Sequence, residues 1–142
     1  MKVATNEKGR YVLNVERGEE LFKTLLDFSI RERISGATLT GLGAADEIIV
    51  AYYHLPTKTY ERHTITEEFE ILSLTGNVGM LNETPILHIH GVFGKRDLST
   101  IGGHLFSLRV SGACEMHLTT LSNSLMRAPD AATGLNLLCE AQ

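Results

Sequence analysis

The sequence contains little cysteine and proline, no tryptophan and no long apolar run. Its two cysteines, Cys114 and Cys139, are far apart and form no C-x-x-C pair. We therefore expect free, buried thiols in a reducing compartment rather than a disulfide framework. No stretch approaches the ~18 consecutive apolar residues that a membrane helix requires. A membrane protein and a disulfide-stabilised domain are therefore not expected.

An amino-terminal targeting signal is also not expected. The opening residues, MKVATNEKGRYV, include basic residues, but no apolar run follows them. A secretory signal needs such a run behind its charged segment. We therefore expect no signal peptide, and the predicted location is the cytoplasm.

Excess positive charge is missing as well. Thirteen basic and seventeen acidic residues give a formal net charge of −4. Proteins that bind nucleic acid through its phosphates usually carry a basic patch. Here the basic residues occur only in short clusters, such as Lys8 with Arg10 and Lys95 with Arg96. A monomer of this chain is predicted to bind DNA poorly.

The composition is that of a globular protein, with 43% hydrophobic and 21% charged residues. Its length fits one domain, which we take as residues 1–142. Residues 10–15 alternate and are predicted as a strand. Gly18 is predicted to open a helix, with Glu19 and Glu20 in its first turn. An apolar stripe with a period near 3.6 residues follows at Leu21, Phe22, Leu25, Leu26 and Ser29.

After Gly36 the pattern becomes that of short strands separated by glycine, proline and polar breaks. The predicted strands are residues 37–42, 47–53, 59–65, 69–74, 77–81, 86–93 and 105–121. One early helix followed by many strands predicts an α+β fold, with the helix on one face of a mainly antiparallel sheet. The tail is expected to be a loose segment that ends in a short strand or docking stretch.

His88 and His90 are the first candidates for a functional site. They lie in a predicted strand, where side chains repeat on one face at every second residue. Both imidazoles therefore point the same way, while Leu87 and Ile89 face the core. Neutral imidazole is the commonest metal ligand in proteins, and histidine-rich sites suit Zn²⁺ and neighbouring metals.

His104 is the expected third ligand. The double glycine before it allows unusual backbone angles, and a glycine-containing excursion from His90 can fold back beside the strand. Three histidines with an open fourth position are typical of catalytic or ligand-exchanging zinc. The alternative is a metal-free polar pocket, in which the histidines hydrogen-bond one another or an anion. The other histidines are expected at the surface: His54, His63 and His117.

Several short motifs follow one another in a specific order. They are Gly41-x-Gly43, Phe69-Glu70-Ile71-Leu72-Ser73-Leu74-x-Gly76, Pro85-x-x-His88-x-His90, Gly102-Gly103-His104-Leu105 and Glu115. Their order and spacing resemble the plants and prokaryotes conserved (PPC) domain, which in plants follows AT-hook DNA-binding motifs. The resemblance covers a core of about residues 10–121 and leaves residues 122–142 as a tail.

This resemblance implies a compact α+β fold with a curved antiparallel sheet, assembled as a homotrimer. It also implies a three-histidine cluster in the stand-alone prokaryotic members, some of which hold zinc. The matching positions are His88, His90 and His104. The plant AT-hook core, Arg-Gly-Arg-Pro, is absent, so DNA binding does not transfer by motif.

Two further features bear on the assembly and on one turn. The apolar residues of the late strands, at 92–93 and 105–108, exceed what one helix can cover, which also favours subunit contact. Asp97-Leu98-Ser99 stands where family members often have Asp-Gly. That turn is therefore predicted to differ in shape.

Three functions remain open. The first is a zinc-type metal-binding trimer that holds a small molecule or a partner. The second is a metal-dependent hydrolase, in which bound water has a pKa near ~7 and a carboxylate moves the proton. Glu70, on a predicted strand face with Leu72 and Leu74, and Glu115, late in a long strand, are the candidate carboxylates. A buried structural carboxylate or a solvated strand glutamate is the commoner explanation of both. The third is a DNA-binding or regulatory protein, as the family name suggests, which the net charge opposes.

Overall fold

The computed structural model describes residues 1–140, which form one helix and nine strands. In chain order they are β1 (Lys2–Glu7), β2 (Arg10–Glu16), α1 (Leu21–Arg31), β3 (Ala37–His54), β4 (Thr59–Ile65), β5 (Phe69–Leu81), β6 (Thr84–Gly94), β7 (Thr100–Thr120), β8 (Arg127–Pro129) and β9 (Asn136–Leu138). Among these residues, α1 is the one helix, and it lacks the length and apolar character of a membrane span. The predicted α+β class is confirmed.

Seven strands form one antiparallel sheet that closes on itself. The order is β1-β2-β7-β6-β5-β3-β4, and β7 also pairs with β3. β3 pairs with β5, β5 with β6, β6 with β7, and β7 with β3, so these four strands make a small closed barrel. The sheet is therefore curved, as the resemblance implies. Closure also leaves these four strands with few unpaired backbone groups.

Sheet closure decides which late-strand residues are buried. Phe93, Leu105 and Leu108 are at most 1% exposed within one chain, whereas Val92 is 44% exposed. Val92 remains available for the predicted subunit contact, whereas Phe93, Leu105 and Leu108 need no partner subunit to cover them. The barrel interior covers them together with the helix.

The helix begins at Leu21 rather than at Gly18. Gly18 has a φ of 85°, which is outside the helical region. Glu20 is the N-cap, and its side chain accepts a hydrogen bond from the Lys23 N–H at 2.6 Å. Glu19 precedes the helix and accepts from the amino-terminal ammonium. The predicted pair of carboxylates in the first turn is therefore wrong, and one of them acts as a cap instead.

Two strands are longer than predicted. β3 joins the predicted strands at 37–42 and 47–53, and β5 joins those at 69–74 and 77–81. The register of β5 shifts between Ile71 and Ser73. Because a bulge inserts one residue, it reverses the alternation of faces. Glu70 and Leu72 are therefore both exposed while Leu74 is buried, so the predicted face shared by Glu70, Leu72 and Leu74 holds for the first two residues only.

The strands at the two ends of the chain were predicted only in part. β1 has no counterpart among the predicted strands, because all its residues are exposed and no apolar alternation marks it. The tail contains a hairpin of β8 and β9, and a bridge between Met80 and Met126 ties it to β5. Both cysteines are free; Cys114 is buried, but Cys139 is exposed, contrary to prediction.

Candidate metal centre

Two neighbouring strands position the three candidate ligands. His88 and His90 lie two residues apart on β6, so their side chains share a face. Ile89, the residue between them, points to the opposite face and is fully buried. His104 lies on β7 directly opposite His90 in the antiparallel register. Directly opposed residues of an antiparallel pair have neighbouring side chains, so strand pairing alone places the third imidazole beside the other two.

The three imidazoles form one compact group. Nε2 of His88 is 3.2 Å from Nε2 of His90. The ring centroid of His104 lies 5.2 Å from each of the other two. One ring nitrogen from each residue can be chosen so that all three lie within 4.8 Å of one another. The structure thus brings together the residues that the sequence selected, while their role as metal ligands stays a prediction.

The double glycine before His104 does not act as a hinge. Gly102 and Gly103 lie inside β7, and neither has a positive φ. A Cβ atom on Gly102 would lie 2.6 Å from the carbonyl oxygen of Gly91, and one on Gly103 would lie 2.8 Å from that of Ala51. These glycines therefore let β7 approach the strands on both sides closely, and the excursion after His90 is an ordinary hairpin.

Aromatic rings enclose His104. Its ring lies 4.7 Å from that of Phe106 and 4.9 Å from that of Tyr60. Burial, followed by the neighbouring His88, His90 and Arg62, lowers the pKa of His104 to about 4. Burial also lowers the pKa of His88. Both imidazoles are consequently neutral near pH 7, which is the form that binds metal.

One nitrogen of His104 lacks a hydrogen-bond partner. Nδ1 is buried, and no group among residues 1–140 pairs with it. A buried polar atom without a partner costs about 1–3 kcal/mol. A metal ion, a water molecule or a ligand that binds there would remove this cost. The arrangement therefore fits a metal on the grounds of both ligand chemistry and polar satisfaction.

Arg127, from the tail, is the residue of the site that the sequence pattern missed. Its guanidinium donates to Asn77 Oδ1 at 2.9 Å, to the Asn136 carbonyl at 2.8 Å and to Nδ1 of His88 at 3.3 Å. It lines a cavity of about 290 Å³ together with His88 and His104. No local pattern marks Arg127, since it reaches the histidines only because the tail folds back over β5 and β6.

Comparison with known proteins identifies the family. The model of the Plants and Prokaryotes Conserved (PCC) domain matches residues 3–122, which is most of the chain. The chain belongs to this family. The predicted resemblance is therefore confirmed, and we use the abbreviation PPC below.

Several solved structures are similar to this chain over nearly their whole length. A metal-containing protein from Archaeoglobus fulgidus is 37% identical, with a TM-score of 0.87 and coverage of 99% of this chain and 100% of that one. A protein from Bacteroides thetaiotaomicron, provisionally described as DNA-binding, is 30% identical, with a TM-score of 0.92 and coverage of 95% and 94%. A PPC protein from Pyrococcus horikoshii is 28% identical, with a TM-score of 0.86 and coverage of 94% and 92%. A search among curated proteins gave no match.

The two candidate carboxylates lie away from the histidines of the same PPC chain. Glu115 is eleven residues along β7 from His104, about 35 Å of extended strand. Glu70 pairs with Gly94, whereas His90 pairs with Thr75, five residues further along β5. No Asp or Glu joins the three histidines in a metal-sized group within the described chain. The described chain by itself therefore offers imidazoles without an adjacent carboxylate.

The remaining histidines lie at the surface, as predicted. His54 and His63 both contact Glu61 on the exposed hairpin of β3 and β4. His117 is exposed on β7. The turn at residues 97–99 adopts a conformation that suits glycine, because Leu98 has a φ of 67°. Asp97 accepts hydrogen bonds from the Ser99 N–H and hydroxyl, which holds this turn together without glycine.

Proposed function

We propose that this PPC domain binds a divalent transition metal of the zinc type through His88, His90 and His104, and that it acts as a trimeric ligand- or partner-binding protein. The observation that carries the proposal is the convergence of three ring nitrogens within 4.8 Å. Two nitrogens bound to one zinc ion at ~2.0–2.1 Å, at tetrahedral angles, lie roughly 3.3 Å apart. The separation of 3.2 Å between Nε2 of His88 and Nε2 of His90 fits this value.

The chemistry of the group favours binding over hydrolysis. A metal held by three histidines supplies a Lewis acid with a free position for an outside ligand. Hydrolysis would also need a group that moves a proton, and neither Glu70 nor Glu115 stands beside the histidines of the same chain. Glu70 and Glu115 are therefore not assigned a catalytic role, and ligand binding is the proposed activity.

Metal analysis tests the proposal. After dialysis against a zinc buffer, the wild type is expected to retain one metal ion per chain, measured by elemental analysis of the purified protein. His88→Ala, His90→Ala and His104→Ala are expected to lose it. His117→Ala is the matched control, since His117 is an exposed strand histidine outside the group. Full zinc content in the triple alanine variant would refute the proposed site.

Support also comes from one relative, while another suggests a different role. The archaeal relative is described as metal-containing. The Bacteroides relative is provisionally described as DNA-binding, but the net charge of −4 opposes that role for this chain. A mobility-shift assay with duplex DNA at physiological salt is expected to show no complex. A salt-dependent complex would favour the regulatory role instead.

The proposed trimer has an apolar surface available for subunit contact. Leu42, Leu72 and Val92 are 54%, 54% and 44% exposed. They lie on the adjoining strands β3, β5 and β6, with Leu42 and Leu72 both at register shifts of the β3–β5–β6 region. Exposed leucines and valines grouped in this way are typical of an interaction surface. We assign this outer patch to the contact between subunits.

A charge placed in the outer patch tests the trimer. Leu72→Asp is expected to convert a trimer into monomers, as measured by sedimentation equilibrium, because burial of an unpaired carboxylate is unfavourable. Leu98→Asp is the control, since Leu98 is 89% exposed on a turn. A wild type that sediments as a monomer at every concentration would refute the trimer and leave the metal proposal untouched.

A further inference from the structure

Arg127 is a positive charge without a carboxylate partner. Among residues 1–140 no Asp or Glu forms an ion pair with it, and all three of its hydrogen-bond acceptors are neutral groups. A guanidinium has five N–H donors, and Nε is buried here without any acceptor. Arg127 is half-buried, and charges removed from water are ordinarily paired. The surroundings of Arg127 therefore lack an anion.

A second unpaired cation reinforces the positive potential at the histidines. The guanidinium of Arg62 lies 3.7 Å above the ring of Phe106, and Phe106 contacts His104. No carboxylate of the described residues pairs with Arg62 either. Two arginines without a carboxylate partner thus flank the three imidazoles, although the whole chain carries a net charge of −4. This local excess of positive charge attracts an anion to the site.

The cavity beside Arg127 has both polar and apolar lining residues. The polar ones include His88, His104, Arg127 and Asn136. The apolar lining includes Leu87, Leu135 and Leu137, of which the last two come from the tail that carries Arg127 into the site. Its volume of about 290 Å³ is at the lower end of the range for small-molecule sites. An organic anion with a short apolar body suits it better than a bare inorganic ion.

We propose that this cavity binds a small organic carboxylate, which the guanidinium of Arg127 holds beside the three histidines. The proposal deepens the proposed function and rests on it for the presence of the metal. An Arg–carboxylate pair is charge-assisted and can be bidentate. The apolar walls would cover the carbon chain, and the carboxylate would supply the charge that Arg127 lacks.

Metal binding is expected to prepare Arg127 for this ligand. Arginine only donates hydrogen bonds, so Nδ1 of His88 must accept the one from Arg127 and carry no proton. If Nε2 of His88 binds a metal, Nδ1 takes the proton and faces Arg127 as a second donor. If Nδ1 binds the metal, its lone pair is no longer available to Arg127. In either case Arg127 loses an acceptor, so metal and carboxylate should bind cooperatively.

The test is an NMR titration of zinc-loaded and metal-free protein with butyrate. Butyramide, which has the same shape but no charge, and inorganic phosphate are titrated in parallel. Butyrate is expected to saturate the wild type and to bind more tightly to the zinc-loaded form. Butyramide and phosphate are expected to bind about tenfold more weakly or worse, because each lacks either the charge or the apolar body.

Arginine variants assign the binding to this residue. Arg127→Gln is expected to weaken butyrate binding to the metal-free protein about tenfold or more. Arg96→Gln is the matched control, since Arg96 is exposed outside the cavity, and it should bind butyrate like the wild type. Arg127→Lys keeps the charge without the fork and should lie between the two. If Arg127→Gln fails to fold, Arg127→Lys and the comparison of butyrate with butyramide still decide the question.

The outcomes separate this proposal from the proposed function. Butyrate binding by Arg127→Gln within about twofold of the wild type would overturn the carboxylate site, as would equal binding of butyramide or phosphate. Absence of zinc from the wild type would overturn the metal proposal alone. The titration of metal-free protein would then still test whether Arg127 binds butyrate, because that experiment does not require the metal.

Discussion

Gly76 connects the fold to the candidate site and offers the sharpest test of both. It lies on β5 opposite Ile89, the residue between His88 and His90 on β6. A Cβ atom at this position would lie 2.1 Å from the carbonyl oxygen of His88 and 2.9 Å from Cα of Ile89. Both atoms belong to the backbone, so no side chain can rotate away. Gly76→Ala would therefore push β6 away from β5.

The expected size of the effect follows from this overlap. Ordinary contact begins at 3.4 Å, so the strands must separate by roughly 1 Å. Overpacking of this kind costs about 1–3 kcal/mol, and the smaller chain entropy of unfolded alanine recovers ~0.5–1 kcal/mol. The difference between the mid-values is a fall of roughly 1.3 kcal/mol in the free energy of unfolding, with an upper limit of about 2.5 kcal/mol, which lowers the Tm by roughly 3–10 °C. The same displacement moves His88, whereas metal sites tolerate deviations of only ~0.2 Å.

Denaturant unfolding of metal-free protein at one chain concentration measures the stability, and zinc titration measures the affinity. Gly112→Ala is the control, because its Cβ would make only an ordinary contact of 3.6 Å with the Cβ of Ala44. That variant should be neutral or slightly stabilising, with unchanged zinc affinity. If Gly76→Ala matches Gly112→Ala within about 0.5 kcal/mol, the close approach of the strands at this position is wrong.

Three other predictions concern a turn, the thiols and pH. Leu98→Gly should raise the free energy of unfolding by ~0.5–1 kcal/mol, because Leu98 has a positive φ and buries almost nothing; Leu98→Ala should not, in urea unfolding. Iodoacetamide at pH 8 should label native protein at the exposed Cys139 only, because burial raises the pKa of Cys114 to about 12; labelling of Cys114 before unfolding would contradict its burial. The pKa of His104 is lowered to about 4 from 6.5, so metal-free protein should have the full contribution of this residue to stability above pH 6.5 and lose it progressively as the pH falls toward 4. Urea unfolding should show a smaller loss for His104→Gln over that range.

The parts of the fold that could be predicted are those that a local periodicity of the sequence marks. The stripe from Leu21 to Ser29 repeats near 3.6 residues, and the helix buries both of these residues. The hairpin strand at residues 59–65 was predicted with its observed bounds. Each signal depends only on neighbours along the chain, so sequence alone suffices to find it.

Bulges and closure were not predictable in the same way. A bulge at residue 72 reverses which residues face the core, so simple alternation placed Glu70 and Leu74 together although one is exposed and the other buried. The closing pair of β3 with β7 joins residues such as Ala51 and His104 that are far apart in sequence. No local pattern marks a contact of this kind, and it is this contact that buries the late strands.

The candidate site was likewise predictable only where a local sequence pattern marks its residues. His88 and His90 follow from a period of two, and the glycine-rich segment correctly suggested His104 as their neighbour, although strand register rather than a hinge brings it there. Arg127 belongs to neither pattern, because it depends on how the tail folds over β5 and β6. The rigid, paired strands thus hold the imidazoles, while a separate segment supplies Arg127 and two walls of the cavity. Under the two proposals, replacing that segment is expected to change what binds beside the three histidines, while the strands still bind metal.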